Sequence, residues 1–278
     1  MTKHFVSKSI VTQTEEDIIK EKKAFYFEKR MNLYQEQQEL NTKLKQTMQH
    51  DPIESKKVLV NIVHRLMEDP AKSHVLNKIK GEVDEMINDF LKNPEIVQQM
   101  SMIAIHDSTT SIHVTNTFLL AFLFGYDQKM PLDYIREMCL SAMLHDIGKI
   151  TIPDYILQAA RKLTKEEFDI IKLHPLAGNN ILLNTNLPDS VKFAALEHHE
   201  LLNGSGYPYG ITNPRHMSRI ITIIDIFEAM TNWRPYKDPK LIMDTISIMK
   251  DELAETGKID QEIFQKFVYV AVSMNKWL

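Results

Sequence analysis

The spacing of apolar residues predicts helices along most of the chain. Between residues 75 and 91, apolar positions recur at steps of three and four, which is the pattern of a helix with one buried face. These positions are Val75, Ile79, Val83, Met86, Ile87, Phe90 and Leu91. Asn93-Pro94 is expected to end this helix, because a proline lacks the backbone N–H and clashes with the preceding turn.

Two further helices are predicted before this one. Residues 15 to about 49 are rich in Glu, Lys and Gln, contain no Pro or Gly, and place Leu33, Leu40 and Leu44 near one stripe. A second helix is predicted from Ile53 to Met67, between two Asp-Pro pairs. The long first helix either packs on its own domain or pairs with a second copy or a regulatory protein.

The pattern after residue 97 also favours helices, with one irregular segment. Residues from about Asn203 to Pro214 contain three glycines and two prolines, which predicts a loop. The apolar run from Phe118 to Phe124 is far shorter than the roughly 20 residues that cross a bilayer, so we expect a buried helix there and no membrane span. The expected fold is mainly α, with an N-terminal helical region in residues 1–97 and a second domain in residues 98–278.

Composition narrows the classes of function. The 278 residues are 44% apolar and 25% charged, as in an ordinary globular protein. A net charge of -4 does not favour binding to a nucleic-acid polymer, which needs a basic surface. The single cysteine, Cys139, cannot form an internal disulfide, and no signal-peptide pattern is apparent, so we expect a cytoplasmic protein.

Residue types that bind metals occur in one ordered set in the second domain. The set is His113, His145, Asp146, His174, His198, His199 and Asp225. Imidazole and carboxylate together suit Fe, Mn, Zn or Ni, and an aspartate can bridge two ions. A lone histidine at a helix end is more often hydrogen-bonded or solvated than a ligand. However, the pairs 145–146 and 198–199 both follow apolar segments, where polar groups without partners are costly to bury, and a metal site would supply the partner.

The segments around these residues resemble the HD-GYP family, a branch of the HD phosphohydrolase superfamily. The resemblance runs from about Asp107 to Asp260. It is carried by HDIGK at 145–149, by HHE at 198–200 with NGSGYP at 203–208, and by RPYK at 234–237.

This resemblance implies a helical HD-domain bundle with two metal ions, iron or alternatively manganese. The ions would activate a hydroxide that attacks cyclic di-GMP and gives the linear dinucleotide pGpG, and sometimes GMP. One ion would be bound by His113, His145, Asp146 and Asp225, and the other by Asp146, His174, His198 and His199. The residues that match substrate-contacting positions are Lys149, Tyr207, Arg234 and Lys237, and the catalytic residues would be Asp146 and Lys149.

The chain departs from the family pattern at three places. Residues 159–161 are Ala-Ala-Arg where Lys-Pro-Gly is usual, and Glu228 stands where Asp is usual. Thr109 stands where members with three metals have Glu, which predicts two ions and little GMP. Two other functions stay open: hydrolysis of another cyclic dinucleotide, and a receptor that binds cyclic di-GMP without cutting it. The four substrate-contacting positions could also be solvated or packed loop residues.

Overall fold

The computed structural model describes residues 80–106, 108–159, 161–232 and 239–274, together with scattered positions between 21 and 65. From residue 80 onward its α-helices are α1 (Lys80–Lys92), α2 (Pro94–His106), α3 (Ser108–Asp127), α4 (Leu132–Leu144), α5 (Asp154–Leu157), α6 (Lys165–Ile171), α7 (His174–Leu183), α8 (Asp189–Glu197), α9 (His216–Thr231), α10 (Ile242–Met249) and α11 (Gln261–Met274). A 3₁₀ turn (Ile147–Thr151) follows α4, and a π-helical turn (Lys250–Ala254) follows α10. These described residues contain no strand, so the prediction of a mainly α fold is confirmed.

Helix α1 buries the face that its apolar spacing predicted. Its buried residues are Val83, Met86, Ile87, Phe90 and Leu91, whereas Val75 and Ile79 lie outside the described residues. The helix ends before Asn93, whose side-chain oxygen accepts hydrogen bonds from the backbone N–H groups of Glu95 (2.9 Å) and Ile96 (3.4 Å). Asn93 therefore ends one helix and caps the next.

Helix α3 runs through the centre of the bundle. Every residue from Phe118 to Phe124 is buried, as the apolar run predicted. The ring of Phe118 contacts Phe90 of α1 at 6.3 Å between centroids, and Phe124 contacts Phe267 of α11 at 6.1 Å. The central helix thus joins the beginning and the end of the described bundle in one core.

The N-terminal residues that the structure describes are helical and contact this core. Described positions between 21 and 47 and between 57 and 65 are helical, in agreement with the two predicted helices. Val58 and Ile62 are buried in the core, and Leu40 packs against it. Helix α2 spans the boundary proposed near residue 97, so the division into two regions stays a prediction.

The described helices include none with the length and apolarity needed to cross a bilayer. Cys139 is buried on α4 and forms no disulfide.

Candidate metal centre

The structure brings the seven predicted ligands together from five helical segments. His113 lies within α3, His145 and Asp146 follow α4, His174 begins α7, His198 and His199 follow α8, and Asp225 lies in α9. Most of these positions are helix ends, where the chain leaves the core and side chains from different helices can converge.

Asp146 lies at the centre of the cluster and is 1% exposed. Its Oδ1 atom lies 3.2 Å from Nε2 of His174 and 3.7 Å from Nε2 of His198. Its Oδ2 atom lies 3.5 Å from Nε2 of His113 and 3.4 Å from Nε2 of His145. Each carboxylate oxygen therefore faces a different pair of imidazoles, which is the arrangement expected of a ligand shared by two ions.

Two groups of donor atoms share this carboxylate. The first group is His113, His145 and Asp146, and the second is Asp146, His174, His198 and His199; within each group the donor atoms lie within 4.8 Å of one another. Asp225 lies beside both groups, because its Oδ1 is 3.1 Å from Nε2 of His113 and its Oδ2 is 3.9 Å from Nδ1 of His199.

Helix ends orient three of the imidazoles. Nδ1 of His145 lies 2.9 Å from the carbonyl oxygen of Ala142, and Nδ1 of His174 lies 2.7 Å from that of Ile171. Nδ1 of His198 lies 3.1 Å from the carbonyl oxygen four residues earlier. The last carbonyl groups of a helix have no partner within it, so they can accept a hydrogen bond from the Nδ1–H group. The Nε2 lone pairs are then left to face the cluster as metal donors.

The donor set fits divalent metal ions. Buried polar atoms normally have a hydrogen-bond partner, yet Oδ1 of Asp146 is buried and accepts no hydrogen bond from any residue that the structure describes. A cation between this oxygen and the neighbouring imidazoles would satisfy it. Nitrogen and carboxylate donors in this combination suit Fe, Mn, Zn or Ni.

Burial and neighbouring charges shift the pKa values of the cluster. Burial would lower the pKa of His113, but the carboxylates of Glu228 and Asp225 together outweigh it and the pKa rises to about 9. Burial is the main reason that the pKa of His198 falls to about 4. Burial would raise the pKa of Asp146, but the charge of Lys149 together with the neighbouring imidazoles of His145 and His174 holds it well below its usual range. The shifts of Asp146 and His198 favour the ionised carboxylate and the neutral imidazole, the forms that bind metals, whereas His113 would have to release a proton on binding an ion.

Two of the four predicted substrate-contacting residues lie beside the cluster. Nζ of Lys149 is 2.5 Å from Oδ2 of Asp146. The ring of Tyr207 lies 4.6 Å from that of His199, between centroids, and its backbone N–H donates to the carbonyl oxygen of His199 at 3.1 Å. The other two predicted residues, Arg234 and Lys237, lie outside the described residues.

Glu228 and Glu200 are buried carboxylates near the proposed ligands, and neither was among the predicted site residues. Glu228 contacts Nδ1 of His113. Glu200 accepts hydrogen bonds from the backbone N–H groups of Tyr209 (2.7 Å) and Ile211 (3.1 Å), within the loop that holds Tyr207. The sequence contained one signal for Glu228, because a carboxylate within the apolar segment 220–230 needs a buried partner.

Residues 98–263 match the family model described as HD domain. This match covers more than half of the chain, so the chain belongs to the HD domain family. Together with the HDIGK and GYP segments and with the relatives that match the chain, it places the chain in the HD-GYP branch, as the sequence predicted.

The relatives include phosphodiesterases for two cyclic dinucleotides. A cyclic di-GMP phosphodiesterase of Pseudomonas aeruginosa is 31% identical over 189 residues, or 67% of this chain and 45% of that protein. A 3'3'-cGAMP-specific phosphodiesterase of Vibrio cholerae is 34% identical over 135 residues, or 48% of this chain and 31% of that protein. The chain thus spans less than half the length of both curated relatives.

A solved structure supports the fold. An HDG"Y"P protein of Bdellovibrio bacteriovorus superposes with a TM-score of 0.52 at 16% identity, covering 84% of this chain and 77% of that chain. At this identity the likeness concerns the fold alone, and that fold is the helical HD-domain bundle.

Proposed function

We propose that this chain is a metal-dependent phosphodiesterase that hydrolyses cyclic di-GMP to the linear dinucleotide pGpG. The observation that carries the proposal is the position of Asp146, whose two oxygens face two different groups of histidines. The similarity to the cyclic di-GMP phosphodiesterase of P. aeruginosa supports the substrate. Bound divalent ions would supply positive charge and lower the pKa of water, so that hydroxide is available at neutral pH.

The proposed ligands follow the two donor groups. One ion would be held by His113, His145, Asp146 and Asp225, and the other by Asp146, His174, His198 and His199. Iron is the proposed metal and manganese the alternative, since mixed imidazole and carboxylate donors suit both.

Lys149 and Tyr207 are proposed to act on the substrate. A phosphodiester gains negative charge towards the transition state, so a fixed cation stabilises that state more than the ground state. The ammonium group of Lys149 lies beside the shared carboxylate, with 18% of its side chain exposed, and can reach a phosphate bound there. Tyr207 places an aromatic ring beside His199, where it could contact the dinucleotide. The proposed contacts of Arg234 and Lys237 rest on their match to the family's sequence pattern.

A hydrolysis assay tests this function. Protein loaded with iron or manganese should convert cyclic di-GMP to pGpG, and Asp146→Ala should abolish turnover because it removes a ligand shared by both ions. Asp133→Ala is the matched control, since Asp133 is exposed in the first turn of α4, the helix that precedes Asp146. If metal-loaded wild-type protein binds cyclic di-GMP without cutting it, the enzymatic function is wrong and a receptor is the remaining function.

The same assay identifies the preferred dinucleotide. The similarity to the 3'3'-cGAMP-specific enzyme makes 3'3'-cGAMP the necessary comparison. We expect kcat/KM to be higher for cyclic di-GMP, and a higher value for 3'3'-cGAMP would assign the chain to the other substrate.

We also propose that residues 98–278 form the phosphodiesterase domain of a cytoplasmic signalling protein in bacteria. Residues 1–97 would regulate it or pair with a second copy, and the contact of Val58 and Ile62 with the core supports a coupling between the two regions. Light scattering of the full chain should give a dimer, and a monomer at all concentrations would contradict the pairing.

A further inference from the structure

His113 is held differently from the histidines that follow helix ends. It lies within α3, where the backbone carbonyl groups already accept the hydrogen bonds of the helix. His145, His174 and His198 instead use carbonyl groups in the last turn of a helix. The Nδ1 atom of His113 therefore needs an acceptor from another part of the fold.

Glu228 of α9 provides this acceptor. Its side chain is 1% exposed, and its Oε2 atom contacts Nδ1 of His113. The opposite nitrogen of the same ring, Nε2, faces the proposed metal centre, 3.1 Å from Oδ1 of Asp225 and 3.5 Å from Oδ2 of Asp146. A carboxylate at Nδ1 thus fixes which nitrogen of His113 is free to bind an ion.

Two asparagine amides hold the other oxygen of Glu228. Nδ2 of Asn116 donates to Oε1 at 3.2 Å, and Nδ2 of Asn232 donates to the same atom. Asn116 lies one turn after His113 on α3, and Asn232 lies one turn after Glu228 at the end of α9. The carboxylate is therefore held from both helices that it connects.

We propose that Glu228 is a positioning residue whose charge orients His113 and strengthens its binding to the ion of the first donor group. A carboxylate hydrogen-bonded to the far nitrogen of a metal-bound imidazole fixes the tautomer and increases the donor strength, and losing such a partner weakens metal binding about 10- to 100-fold. The imidazoles of His174 and His198, in the second group, are oriented by neutral carbonyl groups, so they do not depend on this charge. The inference rests on the proposed two-metal centre.

Metal binding to the full chain tests the role of Glu228 without an activity assay. Glu228→Gln keeps the size of the side chain and removes its charge, whereas Glu228→Asp keeps the charge. Glu137→Gln is the matched control, because Glu137 is a partly buried carboxylate that accepts a hydrogen bond from Ser190 and contacts none of the proposed ligands. Mn²⁺ content is measured by elemental analysis, and the two dissociation constants by competition with a chromophoric chelator.

The expected result is selective for one ion. Wild-type protein and Glu137→Gln should bind two Mn²⁺ ions with the same affinities. Glu228→Gln should bind one ion normally and the other about 10- to 100-fold more weakly. Glu228→Asp should recover most of that loss, because it restores the charge. Asn232→Ala, which removes one donor to Glu228, should weaken binding of the same ion by a smaller factor. If circular dichroism shows that Glu228→Gln is unfolded, Asn232→Ala takes its place as the test.

Several outcomes would overturn the inference. If a folded Glu228→Gln protein binds both ions with wild-type affinity, Glu228 has no positioning role. The same conclusion holds for Asn232→Ala where that variant serves as the test. Equal weakening in Glu228→Gln and Glu228→Asp would show that charge is not the active feature. Equal weakening of both ions would contradict the assignment to the first group. Fewer than two ions bound to wild-type protein would reject the two-metal centre itself, and this inference with it.

Discussion

The backbone of Gly148 lies directly against the carbonyl group of His174. A Cβ atom on residue 148 would lie 2.0 Å from this oxygen and 2.5 Å from the backbone nitrogen of Gly178. The contact joins the turn that follows Asp146 to the first turn of α7, which begins at His174. Glycine at 148 therefore allows Asp146 and His174, two of the proposed ligands, to approach each other.

Gly148→Ala should separate these two backbones and disturb the metal centre. Forcing a methyl group into a packed contact costs about 1–3 kcal/mol, so the free energy of unfolding should fall by that amount. Urea unfolding with a chelator present measures the stability, and elemental analysis measures the expected loss of metal. Gly81→Ala is the matched control, because a Cβ there meets nothing within 4 Å and alanine favours the helix. Equal stability of Gly148→Ala and wild-type protein would contradict the role of this contact.

Glu200 should control the loop that carries Tyr207. Its carboxylate accepts hydrogen bonds from the backbone N–H groups of three consecutive residues, 209–211. In Glu200→Gln an amide N–H group would face one of these donors, so a hydrogen bond to the charged carboxylate would be lost. Such a hydrogen bond contributes about 1.5–3 kcal/mol to the free energy of unfolding. We expect a lower free energy of unfolding and a larger change in KM than in kcat, measured by urea unfolding and steady-state kinetics.

The control for this loop is Glu262→Gln, which removes an exposed ion pair with Lys266 and should change little. If Glu200→Gln behaves like this control, the loop does not depend on the carboxylate.

Arg161, which lies before α6, is one of the positions at which the chain departs from the family pattern. Arg161 donates to both oxygens of Glu167 (2.6 and 2.7 Å), and Glu167 forms a capping box with Thr164. The hydrogen bond from Arg161, followed by that from the backbone N–H of Thr164, lowers the pKa of Glu167 to about 2. Because the folded-state pKa lies below the ordinary value of about 4.3, Glu167 stabilises the fold above that pH and loses this effect as the pH falls towards 2.

Urea midpoints measured from pH 7 to pH 2.5 test this pH dependence. The difference between wild-type protein and Glu167→Gln should be largest near pH 7 and shrink at the acidic end. Glu166→Gln, which removes the same charge one position earlier, should show a smaller difference. A difference that stays constant over this range would mean that the ionisation of Glu167 is not responsible.

Because residue 109 is a threonine, we expect two metal ions per chain and little GMP among the reaction products. This residue lies one turn before His113 on α3, and threonine has a neutral hydroxyl group, whereas a third ion would need an added anionic ligand. Elemental analysis of wild-type protein should give two ions, and chromatography should show pGpG as the main product. Thr109→Glu should gain affinity for a third ion, whereas Thr109→Gln, which adds length without charge, should not. Three ions in wild-type protein, or prompt formation of GMP, would contradict this expectation.

The sequence by itself determined the helices and the residue types of the proposed metal centre. The apolar spacing of α1, the buried run in α3 and the loop after His199 follow from local pattern, because helix periodicity and turn residues act over a few positions. The ordered histidines and aspartates and the HDIGK and GYP segments also predicted the family. The proposed contacts of Arg234 and Lys237 with substrate stay predictions.

Only the tertiary structure decided how these residues face one another. Which oxygen of Asp146 faces which histidines depends on how α3, α4, α7 and α8 pack. Glu228 is 115 residues from His113 along the chain, so no local pattern could pair them, and the sequence showed that Glu228 needs a partner but not which residue that partner is. The close approach of Gly148 and His174 likewise depends on one helix packing against a turn. Local sequence specifies the helices and their buried faces, whereas the pairing of side chains across the centre arises when those faces pack into one core.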